Sequence, residues 1–145
     1  MDEAGHERKP TFVGVAYPGQ MDHMGHLNVR GYAEMFDQAG WAFYVRLGLT
    51  AQRMQTESCG MALLVQHNDY DQEVFQGMAV EVDTELLEVA NKVLRYRHRM
   101  SRCDDGSLVA TSEVVAVFFD RVERRSAPLP EDVRQAALGE LAAAR

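Results

Sequence analysis

Between Asp22 and Asn28 the chain places an acid, two histidines, a glycine and an amide within seven residues, as Asp22-His23-Met24-Gly25-His26-Leu27-Asn28. A carboxylate can take a proton from water or attack an acyl carbon itself, and a neighbouring imidazole can share in that work. Directly behind this polar elbow the apolar residues recur at helical spacing, so the elbow stands at a helix N-terminus. Such an end offers unpaired backbone N–H groups and the positive pole of the helix dipole. An acid and a histidine held beside it are the parts of acyl-transfer chemistry.

Each of these residues also has a plainer reading. Alone, Asp22 is equally a solvated turn acid; the company of Gly25, His26 and Asn28 favours chemistry. His26 either acts directly or holds the shape of the loop by hydrogen bonding. Asn28 is most economically a helix cap. Asp22, His23 and His26 invite a metal reading, since histidines three apart share a helical face. They precede the helix, however, and no further ligand cluster accompanies them, so no metal is expected.

The elements that must position the elbow can be read in order. Residues 1–10 are polar and end in Pro10, an expected flexible tail. Residues 11–17 (TFVGVAY) are β-branched and aromatic, a short strand closed by Pro18-Gly19. With Asn28 as cap, residues 29–47 form the one long helix, and Gly48 is placed to stop it. Tyr32, Met35, Phe36, Ala39, Ala42 and Phe43 make its apolar stripe, widened by Trp41 and Tyr44, which implies burial on more than one side. Residues 49–59 read as an irregular linker with at most a helical turn.

Four long strands follow, over residues 60–71, 78–88, 92–102 and 107–120. Val80, Val82, Thr84 and Leu86 alternate with Glu81, Asp83 and Glu85, and Leu94, Tyr96, His98 and Met100 alternate with Arg95, Arg97 and Arg99. A turn at Asn91 that pairs residues summing to 180 sets Glu81 against Arg99, Asp83 against Arg97 and Glu85 against Arg95. These acids account for the arginines without a phosphate ligand. Asp104-Asp105-Gly106 marks the next hairpin. His67, within an apolar strand, reads as a core histidine. Pro128 and Pro130 break the chain before an Ala- and Leu-rich helix over residues 131–144. The whole is α+β: a five-stranded antiparallel sheet wrapped around a long central helix, as one domain over residues 1–145.

Composition narrows the function. The net charge of −7 argues against a nucleic-acid binder, which needs a basic face. No apolar run approaches the roughly 18 residues that a membrane span requires. The charged N-terminus lacks the apolar core of a signal peptide, and Cys59 and Cys103 have neither metal spacing nor a disulfide framework. Free thiols in a reducing, cytoplasmic setting are expected.

A strand, then D-x-x-G-H-x-N, then a central apolar helix within an antiparallel sheet resembles the hotdog-fold acyl-CoA thioesterases, above all the 4-hydroxybenzoyl-CoA thioesterase branch. Plant acyl-carrier-protein thioesterases carry a similar D-x-N-x-H-x-N elbow; Asp22, His26 and Asn28 match it, and Met24 stands where their asparagine would be. The run GHLNVRGYAEMFDQA is also similar to thioesterases acting on betainyl-CoA, and Pro128-Leu129-Pro130-Glu131 before a short helix fits the family. The resemblance implies hydrolysis of an acyl-CoA, with coenzyme A as part of the substrate and no separate cofactor, in a cleft of a homodimer or homotetramer. Asp22 would be general base or nucleophile, with His26 and Asn28 orienting the elbow or the attacking water. Gly25 would admit the substrate to the backbone, and Arg30 and Tyr32 at the helix entrance would contact it. A hotdog hydratase or dehydratase, or a non-catalytic acyl-CoA-binding module, are the other readings this fold allows.

Overall fold

The helix at the centre of the fold starts and stops where its sequence says it should. In a computed structural model of the chain, described here over residues 9–143, α1 spans Val29–Arg46. Asn28 caps it, its side-chain oxygen accepting from the Arg30 N–H at 2.9 Å. At the other end Gly48 takes φ +93°, a conformation that a Cβ would strain. The Leu49 N–H then reaches back to the Tyr44 carbonyl and the Gly48 N–H to that of Val45, satisfying the last turn.

Around α1 runs one antiparallel sheet. Its strands are β1 (Phe12–Val15), β2 (Cys59–Tyr70), β3 (Ala79–Val89), β4 (Val93–Arg102) and β5 (Leu108–Asp120), in the order β1-β3-β4-β5-β2. These are the five strands expected, and a two-residue β6 (Arg125–Ser126) adds to β5. The segment read as a linker contains a short helix, α2 (Ala51–Thr56), capped by Thr50. Helix α3 (Glu131–Ala143) follows Pro130 as expected. Residues 1–8 of the expected tail and Ala144 of the expected helix lie outside the described residues.

Period-two alternation puts Val80, Val82, Thr84 and Leu86 of β3, and Leu94, Tyr96, His98 and Met100 of β4, on the buried face. There they meet Tyr32, Met35, Phe36, Ala39, Phe43 and Tyr44 of α1. Of the stripe read from the sequence, Ala42 is only half-buried and Trp41 is 48% exposed, because the sheet covers α1 on one side and stops short of Trp41. Val133 and Ala137 of α3 close the far end of the core beside Leu47, Leu49 and Leu94. Arg53 ties α2 to α3 through a two-pronged contact with Asp132 at 2.7 and 3.0 Å.

The β3–β4 register differs from the charge-pairing expectation by two residues. Asp83 lies opposite Arg99, Glu85 opposite Arg97 and Glu81 opposite Ser101, so the paired numbers sum to 182. A bulge at Leu87 then sets Glu88 against Arg95 ahead of a turn at Asn91-Lys92. A slip of two keeps every side chain on its face, so alternation could not exclude it. The arginines find acids the hairpin argument left out: Arg95 contacts Glu88 and Glu113, and Arg97 contacts Glu113. His67 is a second correction. It is exposed on the edge strand β2 and paired with Asp69, because no further strand among the described residues covers that position.

Candidate active site

The elbow is a closed loop. Met21 and Leu27 bridge its base, the Asp22 N–H donates to the His26 carbonyl at 2.8 Å, and the Gly25 N–H donates to the Asp22 carbonyl at 3.1 Å. Gly25 sits at φ +83°, with open space where a Cβ would stand. The left-handed turn alone calls for a glycine here. Two further bonds, Leu27 N–H to the Val74 carbonyl and Asn28 N–H to the Gln20 carbonyl, fasten the loop to its neighbours.

Inside this loop the Asp22 carboxylate is fixed by the backbone. Its Oδ1 accepts from the Met24 N–H at 2.9 Å and lies 3.4 Å from the His26 nitrogen, and its side chain is 19% exposed. Partial burial pushes the carboxyl up. The two N–H contacts and the nearby His26 and His23 rings outweigh it and hold Asp22 below the usual carboxylate value. At neutral pH it is an anion, suited to accept a proton or attack, and able to donate only a proton it has first taken up.

His26 stands between two acids. Its Nδ1 is 3.6 Å from Asp22 Oδ2 and its Nε2 is 3.5 Å from Glu73 Oε1. Both belong to the lining of a cavity of about 310 Å³ formed by Asp22, His26, Leu27, Val29, Tyr32 and Tyr70 to Glu73. Tyr32 is held there by its hydroxyl, which donates to the Gln72 carbonyl at 3.1 Å, and by an edge contact with Tyr70.

The structure thus brings together three of the six residues named from the sequence: Asp22, His26 and Tyr32. Gly25 shapes the loop, while Asn28 caps α1 and Arg30 is exposed, and neither lines the cavity. The Arg30 and Gly31 N–H groups are taken up by the Asn28 side chain and carbonyl, which leaves Val29 as the first-turn residue at the cavity wall. Sequence reasoning missed Gln72 and Glu73, which arrive from the end of β2. No spacing within the elbow points to them, because they reach it only through the fold. His23 is exposed, and no group of three or more His, Cys, Asp or Glu is arranged to hold a metal among the described residues.

The sequence model of the thioesterase-like superfamily matches residues 17–137, from the end of β1 into α3. The chain belongs to this superfamily of hotdog-fold acyl-CoA thioesterases. A betainyl-CoA thioesterase of Pseudomonas aeruginosa is 30% identical over 123 residues, which is 85% of this chain and 77% of that protein. An L-carnitine dehydrogenase/betainyl-CoA thioesterase of Agrobacterium fabrum is 27% identical over 81% of this chain, which spans only 24% of that longer protein. Among solved structures, a Staphylococcus aureus protein in complex with CoA superposes with a TM-score of 0.89 at 19% identity, covering 97% of this chain and 89% of that one. The fold of this thioesterase matches the hotdog architecture read from its element order. Among the described residues, no helix is long and apolar enough to cross a membrane.

Proposed function

We propose that the chain hydrolyses an acyl-CoA thioester to a free acid and CoA, with Asp22 as the acting carboxylate. The observation that carries this is the fixed, anionic Asp22 at the wall of a cavity that opens at the N-terminus of α1. As general base, Asp22 would take a proton from water while the oxygen attacks the thioester carbon. The oxyanion that forms would meet the Val29 N–H and the positive end of α1. Collapse would break the C–S bond and release CoA thiolate, which Asp22 reprotonates. As nucleophile, Asp22 would instead form an acyl-aspartyl anhydride that water then cleaves. Water is the only co-substrate in either route.

His26 would steady Asp22 and the water, itself steadied by Glu73. The names of the two curated relatives support an acyl group bearing a quaternary ammonium. A second copy of the chain would complete the site. Strand β2 is a 12-residue sheet edge that exposes Leu63, Leu64 and Val65, and its last residue, Tyr70, lines the Asp22 cavity. Pairing two such edges about a two-fold axis satisfies their backbone and covers these side chains. The two free thiols agree with a reducing, cytoplasmic setting.

The test is thiol release from a panel of acyl-CoAs, short, branched, aromatic, medium-chain and quaternary-ammonium, with protein blanks to subtract Cys59 and Cys103. Turnover of at least one ester supports the reading, and release from none of them overturns it. A single turnover in 18O-water tests the nucleophilic route: label in the Asp22 carboxylate identifies an anhydride that water cleaves at its aspartyl carbon, since the general-base route labels only the product.

A further inference from the structure

Whichever route Asp22 takes, a thioester and water yield a carboxylate, a thiol and one proton, because a free acid is ionised at neutral pH. That proton must reach solvent once per turnover. The last step leaves the new acid beside Asp22 with a proton between the two carboxyls. Carboxylates that close do not both ionise, so the pair holds the proton and the proton holds the product. Once it leaves, two anions face each other and the product is repelled.

The two oxygens of Asp22 are not equivalent. Oδ1 is occupied, accepting from the Met24 N–H at 2.9 Å and the His26 N–H at 3.4 Å. An oxygen already accepting two N–H bonds is the poorer seat for a proton, so Oδ2 carries it. Oδ2 faces His26 Nδ1 at 3.6 Å, and the far ring nitrogen, Nε2, faces Glu73 Oε1 at 3.5 Å. Phe75 packs perpendicular to the imidazole, with ring centroids 6.5 Å apart, and keeps it between the two acids. Exposure rises along this line, from 19% for the Asp22 side chain to 24% for His26 and 61% for Glu73. The separations are less than about 1 Å beyond a charge-assisted hydrogen bond. A small rotation of the solvent-facing Glu73, or one bridging water, closes such a gap.

We propose that Glu73 is the proton outlet of this site, taking the product's proton from Asp22 through the His26 ring and passing it to water. The O–H bond at Asp22 Oδ2 breaks as an N–H bond forms at His26 Nδ1. The Nε2–H bond breaks as an O–H bond forms on Glu73, which returns to its anion when water takes the proton. The imidazole has then changed tautomer, and regains the first by exchange with solvent at its exposed edge. Water is the final acceptor, and proton exit is thereby joined to product exit. The outlet rests on the thioester-hydrolase reading, and asks more of Glu73 than support of the ring: support needs an acceptor oxygen, whereas an outlet needs a group that gains and loses a proton.

Glu73→Gln separates these roles, because it keeps the acceptor oxygen and the size of the side chain but cannot take up the proton. On the best ester of the panel, at fixed pH and ionic strength, wild-type kcat should not depend on the concentration of imidazole buffer. Glu73→Gln and Glu73→Ala should each lose a few-fold in kcat at low buffer. Rising imidazole should restore most of that loss and then saturate, with KM unchanged. Single-turnover thiol release, which precedes the proton's exit, should fall less than kcat does in both variants. A loss that buffer does not touch, or an equal fall in the single-turnover and steady-state rates, makes Glu73 a support of the ring and overturns the outlet while the hydrolase reading stands. A wild-type kcat in Glu73→Gln at low buffer overturns it as well. A wild type that releases thiol from no ester fails the hydrolase reading itself and takes the outlet with it.

Discussion

Asp22 is anionic because two backbone N–H groups point at one of its oxygens, and those groups are placed by a loop that needs a glycine at position 25. Gly25→Ala should therefore cost activity by loosening the carboxylate, with the cavity itself still unfilled by the new methyl. A drop in kcat with KM changed less than threefold would bear this out, and unaltered kcat would refute it. His26 is legible as a candidate from its spacing, since Asp22 and Asn28 frame it. Glu73 is not, because it lies 47 residues further along the chain, and only the packing of the β2–β3 connection under the elbow brings it to 3.5 Å from His26 Nε2. Glu73→Gln should lower kcat by a few-fold and leave the fold intact by circular dichroism; a wild-type rate would remove Glu73 from the account.

Elements divide into those whose ends are written in local chemistry and those whose partners are not. Helix α1 was legible from cap to stop, because Asn28 and Gly48 act within a few residues of themselves. Asn28→Ala should cost about 1 kcal/mol of stability, read by urea unfolding, and Asn28→Asp should restore most of it. A loss of activity in Asn28→Asp far beyond its stability loss would give the amide a role at the substrate that its bond to the Arg30 N–H does not require. The β3–β4 register was legible only to within two residues. The acids and arginines repeat every second position, so a slip of two still opposes unlike charges at Asp83–Arg99 and Glu85–Arg97, and the bulge at Leu87 restores a third pair at Glu88–Arg95.

His98 links the strand pattern to pH. Its pKa in the folded chain, about 4, lies below the unfolded value near 6.5, so the unfolded chain binds the proton first. The stability this provides is fully present above about pH 6.5 and is lost as the pH falls toward 4. Over that window the loss amounts to about 3 kcal/mol. Urea unfolding at pH 7 and pH 4.5 should show the decline in the wild type and a shallower one in His98→Gln. Equal slopes would contradict it.

At the scale of the whole molecule, an incompletely covered helix and an unpaired strand lie on the same side. Trp41 and Val45 of α1 are about half exposed, and Leu63, Leu64 and Val65 of β2 are as exposed or more. The sequence showed that α1 is apolar on more than one side but could not say which residues its own sheet leaves bare, because that depends on where the curved sheet ends. The proposed second copy along β2 would account for both features, and Leu64→Glu should then shift the protein to monomers in light scattering with loss of turnover. A wild type that stays monomeric at micromolar concentration while turning over substrate would contradict this. The central claim is narrower: the Asp22 carboxylate performs the chemistry. Its most direct test is Asp22→Asn on the best ester of the panel, measuring kcat beside the binding of the uncleaved substrate. The account predicts a fall in kcat of at least about a hundredfold with binding changed only a few-fold, and a variant turning over within tenfold of the wild type would contradict it.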